Sequence, residues 1–230
     1  MKKNYSNIYS FNKKILNKTI KYLQKGDVVG LPTETVYGLA GNAYSGQAIK
    51  KIFKLKKRPK FNPLIVHYYN ISKLKNDVEL NNLFIKLYKK FCPGPITFIL
   101  KKKKRSRVHH FACANLKTVA IRFPNQNIVR KILKNIKFPL AMPSANLSSK
   151  ISPINAKDVY EDLKNKISLI IDGGRSKIGI ESTVIDLTKK PRIVRPGIID
   201  EKKIENFLKI KLNRGSPKLK INAPGMLKKH

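Results

Sequence analysis

The segment "SGQAIKKIFKLKKRPKFNPLIVH", residues 45–67, contains a helix, a loop and the start of a strand, and it decides the fold class. Apolar residues recur at helical spacing through residues 45–57, which predicts an amphipathic helix. Pro59 and Pro63 cannot continue that helix, so a loop follows it. The apolar run "LIVH" (64–67) is then predicted as a buried strand, and the segment reads as one helix–loop–strand unit.

The rest of the chain alternates between short apolar runs and amphipathic stretches. The runs predict strands at 27–32, 95–100, 118–123, 139–142, 168–172, 182–187 and 192–194. The amphipathic stretches predict helices at 80–90, 126–136, 155–166 and 200–208. Because the connections have no common crossover length, we expect an α/β fold with a twisted, mixed, partly open sheet rather than a regular doubly wound one.

Length and composition favour one cytoplasmic globular domain. The 230 residues are 41% hydrophobic, which is enough to form a core. The sequence has neither an apolar run long enough for a membrane helix nor a secretory signal, so we expect no membrane association. Cys92 and Cys113 are the only cysteines and lie far apart in sequence, which argues against a disulfide framework or a thiolate metal site.

A net charge of +37 makes any single basic cluster weak evidence for a binding site. Residues 54–60 carry five cations, and three interpretations remain open: a nucleic-acid patch, a pocket for a phosphorylated small molecule, or a solvated surface. A protein this positive should also bind tRNA weakly and without sequence preference, through counterion release.

Three polar loops at strand ends are the candidate functional segments. They are "LPTETVYGLAGNA" (31–43), "MPSANLSSKISP" (142–153) and "IDGGRSKIGIESTVID" (171–186). The first must bend sharply while it offers hydroxyl and backbone N–H groups, and the glycines of the third permit close backbone approach. Taken singly, each loop is explained as well by a structural turn as by a site.

Together with "K-x-R-P…NPLIVH", "PGPITFIL" and "VAIRFP", these loops occur in the order typical of YrdC-like proteins. The chain resembles an L-threonylcarbamoyladenylate synthase over roughly residues 10–208. The resemblance implies a basic concave cavity and a reaction that joins L-threonine, bicarbonate and ATP into threonylcarbamoyl-AMP and pyrophosphate. The product would serve a downstream tRNA threonylcarbamoyl transferase machinery. We expect Mg²⁺ with the ATP, no protein ligand for it, and no redox cofactor.

The resemblance also assigns residues. Those expected to contact ATP are Lys56, Arg58, Lys60, Thr118, Ser144, Asn146, Ser152 and Arg195. Four of these, Lys56, Arg58, Ser144 and Asn146, are expected to act in catalysis by holding the phosphates. Those expected to bind L-threonine are Thr33, His67, Arg122 and Ser182.

The residue chemistry supports these assignments unevenly. Arg122 lies in an apolar strand, where a cation is costly unless an anion meets it, and it is the natural partner of the threonine carboxylate. His67 ends an apolar strand and could equally be a core histidine. Glu34 and Glu181 are expected to bind backbone N–H groups in turns rather than act as acid and base. Lys54 and Lys57 are expected to be solvated.

Two alternatives remain open at this stage: a non-catalytic tRNA or double-stranded-RNA binding module, and a YrdC-like domain that transfers a carbamoyl group. The domain boundary is predicted after residue 208, with a basic, linker-like tail at 209–230. Its end, "APGMLKKH" (223–230), resembles the linker of two-domain relatives. The tail could order over the active site through Lys228, Lys229 and His230.

Overall fold

The computed structural model describes residues 5–213. The strands in that range are β1 Ile8–Ser10, β2 Val29–Leu31, β3 Gly38–Asn42, β4 Ile65–His67, β5 Ile96–Lys101, β6 Thr118–Arg122, β7 Leu140–Ala141, β8 Ile170–Asp172, β9 Thr183–Asp186 and β10 Arg192–Arg195. The α-helices are α1 Lys13–Gln24, α2 Gly46–Lys56, α3 Asn82–Phe91, α4 Asn127–Asn135, α5 Ala156–Leu163 and α6 Glu201–Leu208.

The strands of the described residues form one mixed sheet in the order β1-β8-β2-β3-β7-β4-β6-β5-β9-β10. Strand β4 pairs parallel with β6 and antiparallel with β7. Strand β5 pairs antiparallel with β6 and parallel with β9. The predicted mixed sheet is therefore confirmed, and the strands that carry His67, Arg122 and the Glu181 region are near neighbours in it.

Helices cover both faces of the sheet, and successive residues of one strand pack into different cores. Leu39 joins the cluster that contains Ile49 of α2 and Phe84 of α3. Ala40 joins the cluster that contains Leu23 of α1 and Leu133 of α4. Because both faces are buried, the strands read as continuous apolar runs, which explains why the sequence located most of them.

Three elements were missed by the sequence prediction. Residues 31–43 were expected to be one bent loop, but Gly38–Asn42 form β3 in the middle of the sheet. Three of its five residues, Gly38, Ala40 and Gly41, are small, and neighbours approach the two glycines closely: a Cβ on Gly38 would lie 2.3 Å from Met142 Cγ. Helix α1 and the short edge strand β1 were also not predicted, although Asn12 caps α1 by accepting from the Ile15 N–H.

The beginning of the predicted tail contacts the domain. Leu212 is buried, and its N–H donates to Glu205 Oε1 at 2.7 Å. The Asn213 N–H donates to the Pro191 carbonyl at 2.9 Å. The expectation that Lys228, Lys229 and His230 close over the site lies outside the described residues. None of the helices within residues 5–213 is long and apolar enough to cross a bilayer.

Candidate functional site

An open cleft lies where the three polar loops meet the sheet. Its lining residues are Thr33, Thr35, Val36, Tyr37, Gly38, Arg58, Ile65, His67, Arg122, Met142, Pro143, Ser144, Glu181, Ser182 and Arg195. Seven of these were predicted as site residues from the sequence: Thr33, Arg58, His67, Arg122, Ser144, Ser182 and Arg195. The structure therefore brings together residues that are up to 162 positions apart, here Thr33 and Arg195 (195 − 33).

Arg58 is held in the cleft by the loop that follows α2. Its Nε donates to the Asn62 carbonyl at 3.1 Å, and its Nη2 donates to Asn62 Oδ1 at 2.6 Å and to the Pro63 carbonyl at 2.9 Å. Burial, opposed in part by the Glu181 charge and aided by Arg195, lowers the pKa of Arg58 to about 10. The guanidinium therefore stays charged at neutral pH in a fixed orientation.

The neighbouring lysines divide into one buried and three exposed side chains. Lys54, Lys57 and Lys60 are exposed, so the expected solvation of Lys54 and Lys57 agrees with the structure. Lys57 ends α2 in the left-handed conformation. This turn places Lys56 inside the protein and separates it from the surface lysines on either side.

Lys56 is only 1% exposed and is not among the lining residues of the cleft. Its ammonium donates to the Ser144 carbonyl at 2.6 Å, to the Asn146 carbonyl at 2.6 Å and to Asn146 Oδ1 at 3.0 Å. Burial and the nearby Arg58 lower the pKa of Lys56 to about 7. Lys56 therefore fastens the end of α2 to the "PSAN" loop.

Glu181 organises the opposite wall. It accepts from Ser152 Oγ at 3.0 Å and from Nη1 of Arg195. Arg195 also donates from Nη2 to the Ser182 carbonyl at 2.8 Å and to Ser182 Oγ at 3.1 Å. The expectation that Glu181 would serve a turn by binding backbone N–H groups missed its ion pair with Arg195. Ser152, which is not itself in the lining, reaches the cleft only through Glu181.

A buried ion pair closes the floor. Arg122 Nη2 donates to Glu34 Oε1 at 2.7 Å, with side-chain exposures of 5% and 10%. Glu34 was also expected to bind backbone N–H groups, but its partner in the structure is the Arg122 guanidinium. The predicted cost of burying Arg122 is thus met by a carboxylate of the protein itself. Arg122 Nε and Glu34 Oε2 have no hydrogen-bond partner among the described residues.

His67 lies directly across the β4–β6 pair from Arg122. Burial and the Arg122 charge lower the pKa of His67 to about 3, so the imidazole is neutral at physiological pH. His67 Nδ1 has no partner within residues 5–213, and the side chain lines the cleft. Because Nδ1 is buried, His67 contributes a neutral ring surface to the cleft and no charge.

Thr33 also lines the cleft. Its Oγ1 donates to the Val36 carbonyl at 2.5 Å and accepts from the Val36 N–H at 3.2 Å, so the hydroxyl closes the "PTET" turn. On the other wall, Ser182 Oγ lies 2.8 Å from Thr97 Oγ1. Both hydroxyls are therefore held by hydrogen bonds within the protein, and both residues line the cleft.

Two predicted nucleotide contacts lie away from the cleft. Lys60 is exposed on the loop after α2. Thr118 begins β6 and pairs with Lys101, whereas Arg122 at the other end of the strand lines the cleft. Thr118 and Arg122 are four positions apart in an extended strand, which corresponds to about 13 Å. Within residues 5–213, no three His, Cys, Asp or Glu side chains are grouped so that they could hold a metal ion.

Comparisons with known proteins agree with this geometry. The Sua5/YciO/YrdC family model, described as "Telomere recombination", matches residues 21–197. The chain is 41% identical over 215 residues to the threonylcarbamoyl-AMP synthase of Pyrococcus abyssi, covering 91% of this chain and 63% of that protein. It is 43% identical over 185 residues to the threonylcarbamoyl-AMP synthase of Bacillus subtilis, covering 80% of this chain and 53% of that protein.

The solved structure of P. abyssi Sua5 complexed with L-threonine superposes with a TM-score of 0.90 at 38% identity, covering 95% of this chain and 67% of that one. The chain thus spans 63% and 53% of the length of the two curated relatives. Since the family model covers most of the chain and the sheet order, loops and cleft coincide with its matched region, the protein belongs to the Sua5/YciO/YrdC family.

Proposed function

We propose that this chain is a threonylcarbamoyl-AMP synthase: the amine of L-threonine and bicarbonate form a carbamate with loss of water, and the carbamate oxygen attacks the α-phosphate of ATP with release of pyrophosphate. The observation that carries the proposal is a single cleft lined by three arginines, Arg58, Arg122 and Arg195, and by polar side chains. We assign Arg58, Arg195 and Ser144 to a nucleotide end, and Arg122, His67, Thr33 and Ser182 to an amino-acid end. Both curated relatives are named threonylcarbamoyl-AMP synthase. The solved structure of P. abyssi Sua5 that matches this chain contains L-threonine.

The first end suits the nucleotide. Arg58 is fixed by neutral oxygen atoms, so its charge remains available to an anion. Arg195 is held by Glu181 and Ser182 at the wall, and Ser144 offers a hydroxyl. Fixed donors of this kind stabilise the charge that develops on phosphoryl oxygens when pyrophosphate leaves. Lys60, Ser152 and Thr118 belong to the same proposal as contacts farther from the reacting phosphate.

The second end suits the amino acid. Arg122 lines the cleft, and its guanidinium has five N–H donors, of which the pair with Glu34 uses one, so it can also meet a carboxylate. His67, Thr33 and Ser182 line the same cleft and are the proposed contacts for the remaining polar groups of threonine. The nucleophile is the carbamate oxygen of N-carboxylated threonine, so the protein supplies no nucleophile. Its contribution is to align the carbamate with the α-phosphate of ATP.

The residues present do not fit a protein-bound Mg²⁺. Glu181, the carboxylate among the lining residues, pairs with Arg195, and Glu34, which is not among them, pairs with Arg122. Mg²⁺ is therefore expected only as the ion that accompanies the ATP phosphates, and no step is assigned to a protein-held metal. The product is proposed to pass to a tRNA threonylcarbamoyl transferase machinery, and tRNA is proposed to bind this chain weakly.

The decisive experiment is an omission assay. Pyrophosphate release is measured with purified protein, ATP and Mg²⁺, and L-threonine or bicarbonate is left out in turn. We expect release only when all three substrates are present, together with formation of threonylcarbamoyl-AMP by mass spectrometry. Arg58→Ala serves as the site control and Lys57→Ala, on an exposed side chain, as its matched control. Pyrophosphate release that ignores threonine would contradict the proposal.

A further inference from the structure

Four residues of the sequence motifs, Lys56, Arg58, Ser144 and Asn146, were expected to hold the nucleotide phosphates together. The structure divides them into two pairs. Arg58 and Ser144 line the cleft, whereas Lys56 and Asn146 do not. Lys56 is 1% exposed and Asn146 is 4% exposed. The four residues therefore do not form one ring of ligands around a common anion.

The ammonium of Lys56 has no donor left for a phosphate. A lysine ammonium carries three N–H groups. The three acceptors within hydrogen-bond distance of Lys56 Nζ are the Ser144 carbonyl, the Asn146 carbonyl and Asn146 Oδ1. A direct phosphate contact would require Lys56 to leave at least one buried acceptor unpaired, which is costly.

The amide of Asn146 is equally committed. Its Oδ1 accepts from Lys56, and its Nδ2 donates to the Lys150 carbonyl at 2.5 Å. Asn146 thus links the buried ammonium to the far side of the loop, where Ser149 adopts a left-handed conformation with a φ of 72°. The Ser148 N–H adds a bond to the Lys56 carbonyl at 2.9 Å. The loop is fixed to α2 by contacts on both sides of Ala145.

We propose that Lys56 and Asn146 are positioning residues, which hold the Ser144 loop against α2, and that Arg58 and Ser144 are the members of this group that contact the phosphates. This proposal rests on the proposed function, because it assigns roles within the same nucleotide site. It accounts for the lysine at the buried position, because its ammonium form has one N–H donor for each of the two carbonyls and the amide oxygen.

Asn146→Asp distinguishes positioning from direct contact. If Asn146 faced the phosphates, a carboxylate there would repel them, and binding of inorganic pyrophosphate would fall by about 100-fold or more. If Asn146 is the partner of Lys56, the new carboxylate pairs with the ammonium, and the loss should be no more than about fivefold. Ser144→Asp is the matched control, because the same charge then lies on the cleft wall; we expect a loss of about 100-fold or more. Dissociation constants are measured by titration calorimetry.

The salt dependence of pyrophosphate binding gives a second readout, which separates a cation that contacts the anion from one that only positions the loop. Arg58→Gln removes a cation that contacts the anion and should flatten the dependence of affinity on salt, whereas Lys56→Met should leave its slope unchanged. Lys56→Met and Asn146→Leu should also be non-additive: the double variant should lose no more affinity and no more thermal stability than the worse single variant, because both break the same contact.

The proposal is overturned if Asn146→Asp weakens pyrophosphate binding as much as Ser144→Asp does while its melting temperature is unchanged. It is also overturned if Lys56→Met flattens the salt dependence as much as Arg58→Gln. Failure of the proposed function would look different. If the wild-type protein does not bind pyrophosphate at all, the nucleotide assignment fails, and the non-additive melting temperatures of Lys56→Met and Asn146→Leu still decide whether the two residues act as a pair.

Discussion

Removing Glu34 should destabilise the protein strongly, because it leaves Arg122 as an unpaired cation in the interior. The pair is 2.7 Å long, and the side chains are 5% and 10% exposed, so solvent screens little of the interaction. Breaking a buried pair from one side costs about 3–5 kcal/mol. For a domain of this size, about 1 kcal/mol corresponds to 2–4 °C, so Glu34→Ala should lower the melting temperature by about 6–20 °C.

Two further variants test whether the buried charge is the cause. The double variant Glu34→Leu, Arg122→Met removes both charges and should recover most of the loss, because a buried ion pair can often be replaced by apolar side chains at little cost. Asp27→Ala breaks the ion pair between Asp27 and Lys51, in which each side chain is 39% exposed. It should lower the free energy of unfolding by less than about 1 kcal/mol.

Urea unfolding followed by circular dichroism gives the free energy of unfolding for each variant, and calorimetry gives the melting temperature. The m-value should stay constant, so that the change in midpoint reports stability alone. The reasoning is refuted if Glu34→Ala costs no more than Asp27→Ala, or if the double variant is less stable than Glu34→Ala. Either result would mean that water or local rearrangement already compensates the Arg122 charge.

Three further outcomes are expected. Arg58→Ala should lower kcat/KM by about 100-fold or more, whereas Lys54→Ala and Lys57→Ala should stay within about twofold of wild type in the pyrophosphate-release assay, since only a fixed donor stabilises the transition state; equal effects would contradict this. His67 has a pKa of about 3 when folded, below its unfolded value of 6.5, so the stability it contributes is fully present above pH 6.5 and is lost as pH falls toward 3. In urea titrations, the free energy of unfolding of His67→Gln should therefore fall less steeply than that of the wild type between pH 6.5 and 3. An equally steep fall in both proteins would be evidence against a buried neutral imidazole. Affinity for tRNA in filter binding should fall steeply between about 50 and 200 mM salt and should not depend on sequence; tight binding that survives physiological salt would favour an RNA-binding module instead.

Much of the fold could be predicted because the apolar periodicity of the chain is local. Strands buried on both faces are continuous apolar runs, and prolines and caps mark the ends of α2 and its neighbours. Strand β3 escaped prediction for the opposite reason. Its two glycines, Gly38 and Gly41, pack closely against Met142 and α2, where a larger side chain would not fit. Glycine has low β-propensity, so the segment carries no strand pattern of its own.

The motifs also located most of the cleft, but not which partner each charge would have. Glu34 meets Arg122 across 88 positions of sequence, and Lys56 meets Asn146 across 90. Such contacts depend on the order of strands in the sheet, which no local pattern contains. A pattern can therefore show that a residue belongs to a site, while only the fold shows whether its side chain faces the ligand or supports a neighbour that does.

The contacts of Arg58 also differ from those of the other two arginines of the cleft. Arg122 is paired with Glu34, and Arg195 with Glu181. The hydrogen bonds from Arg58 to Asn62 and Pro63 end on neutral oxygen atoms and fix the guanidinium, while the nearby Glu181 raises its pKa against the effect of burial. A cation that is already fixed in place stabilises a developing negative charge without reorganising when that charge forms. Under the proposed function, Arg58 would meet the departing pyrophosphate in this preset orientation, and this is why substitution of Arg58 should cost far more activity than substitution of the exposed lysines beside it.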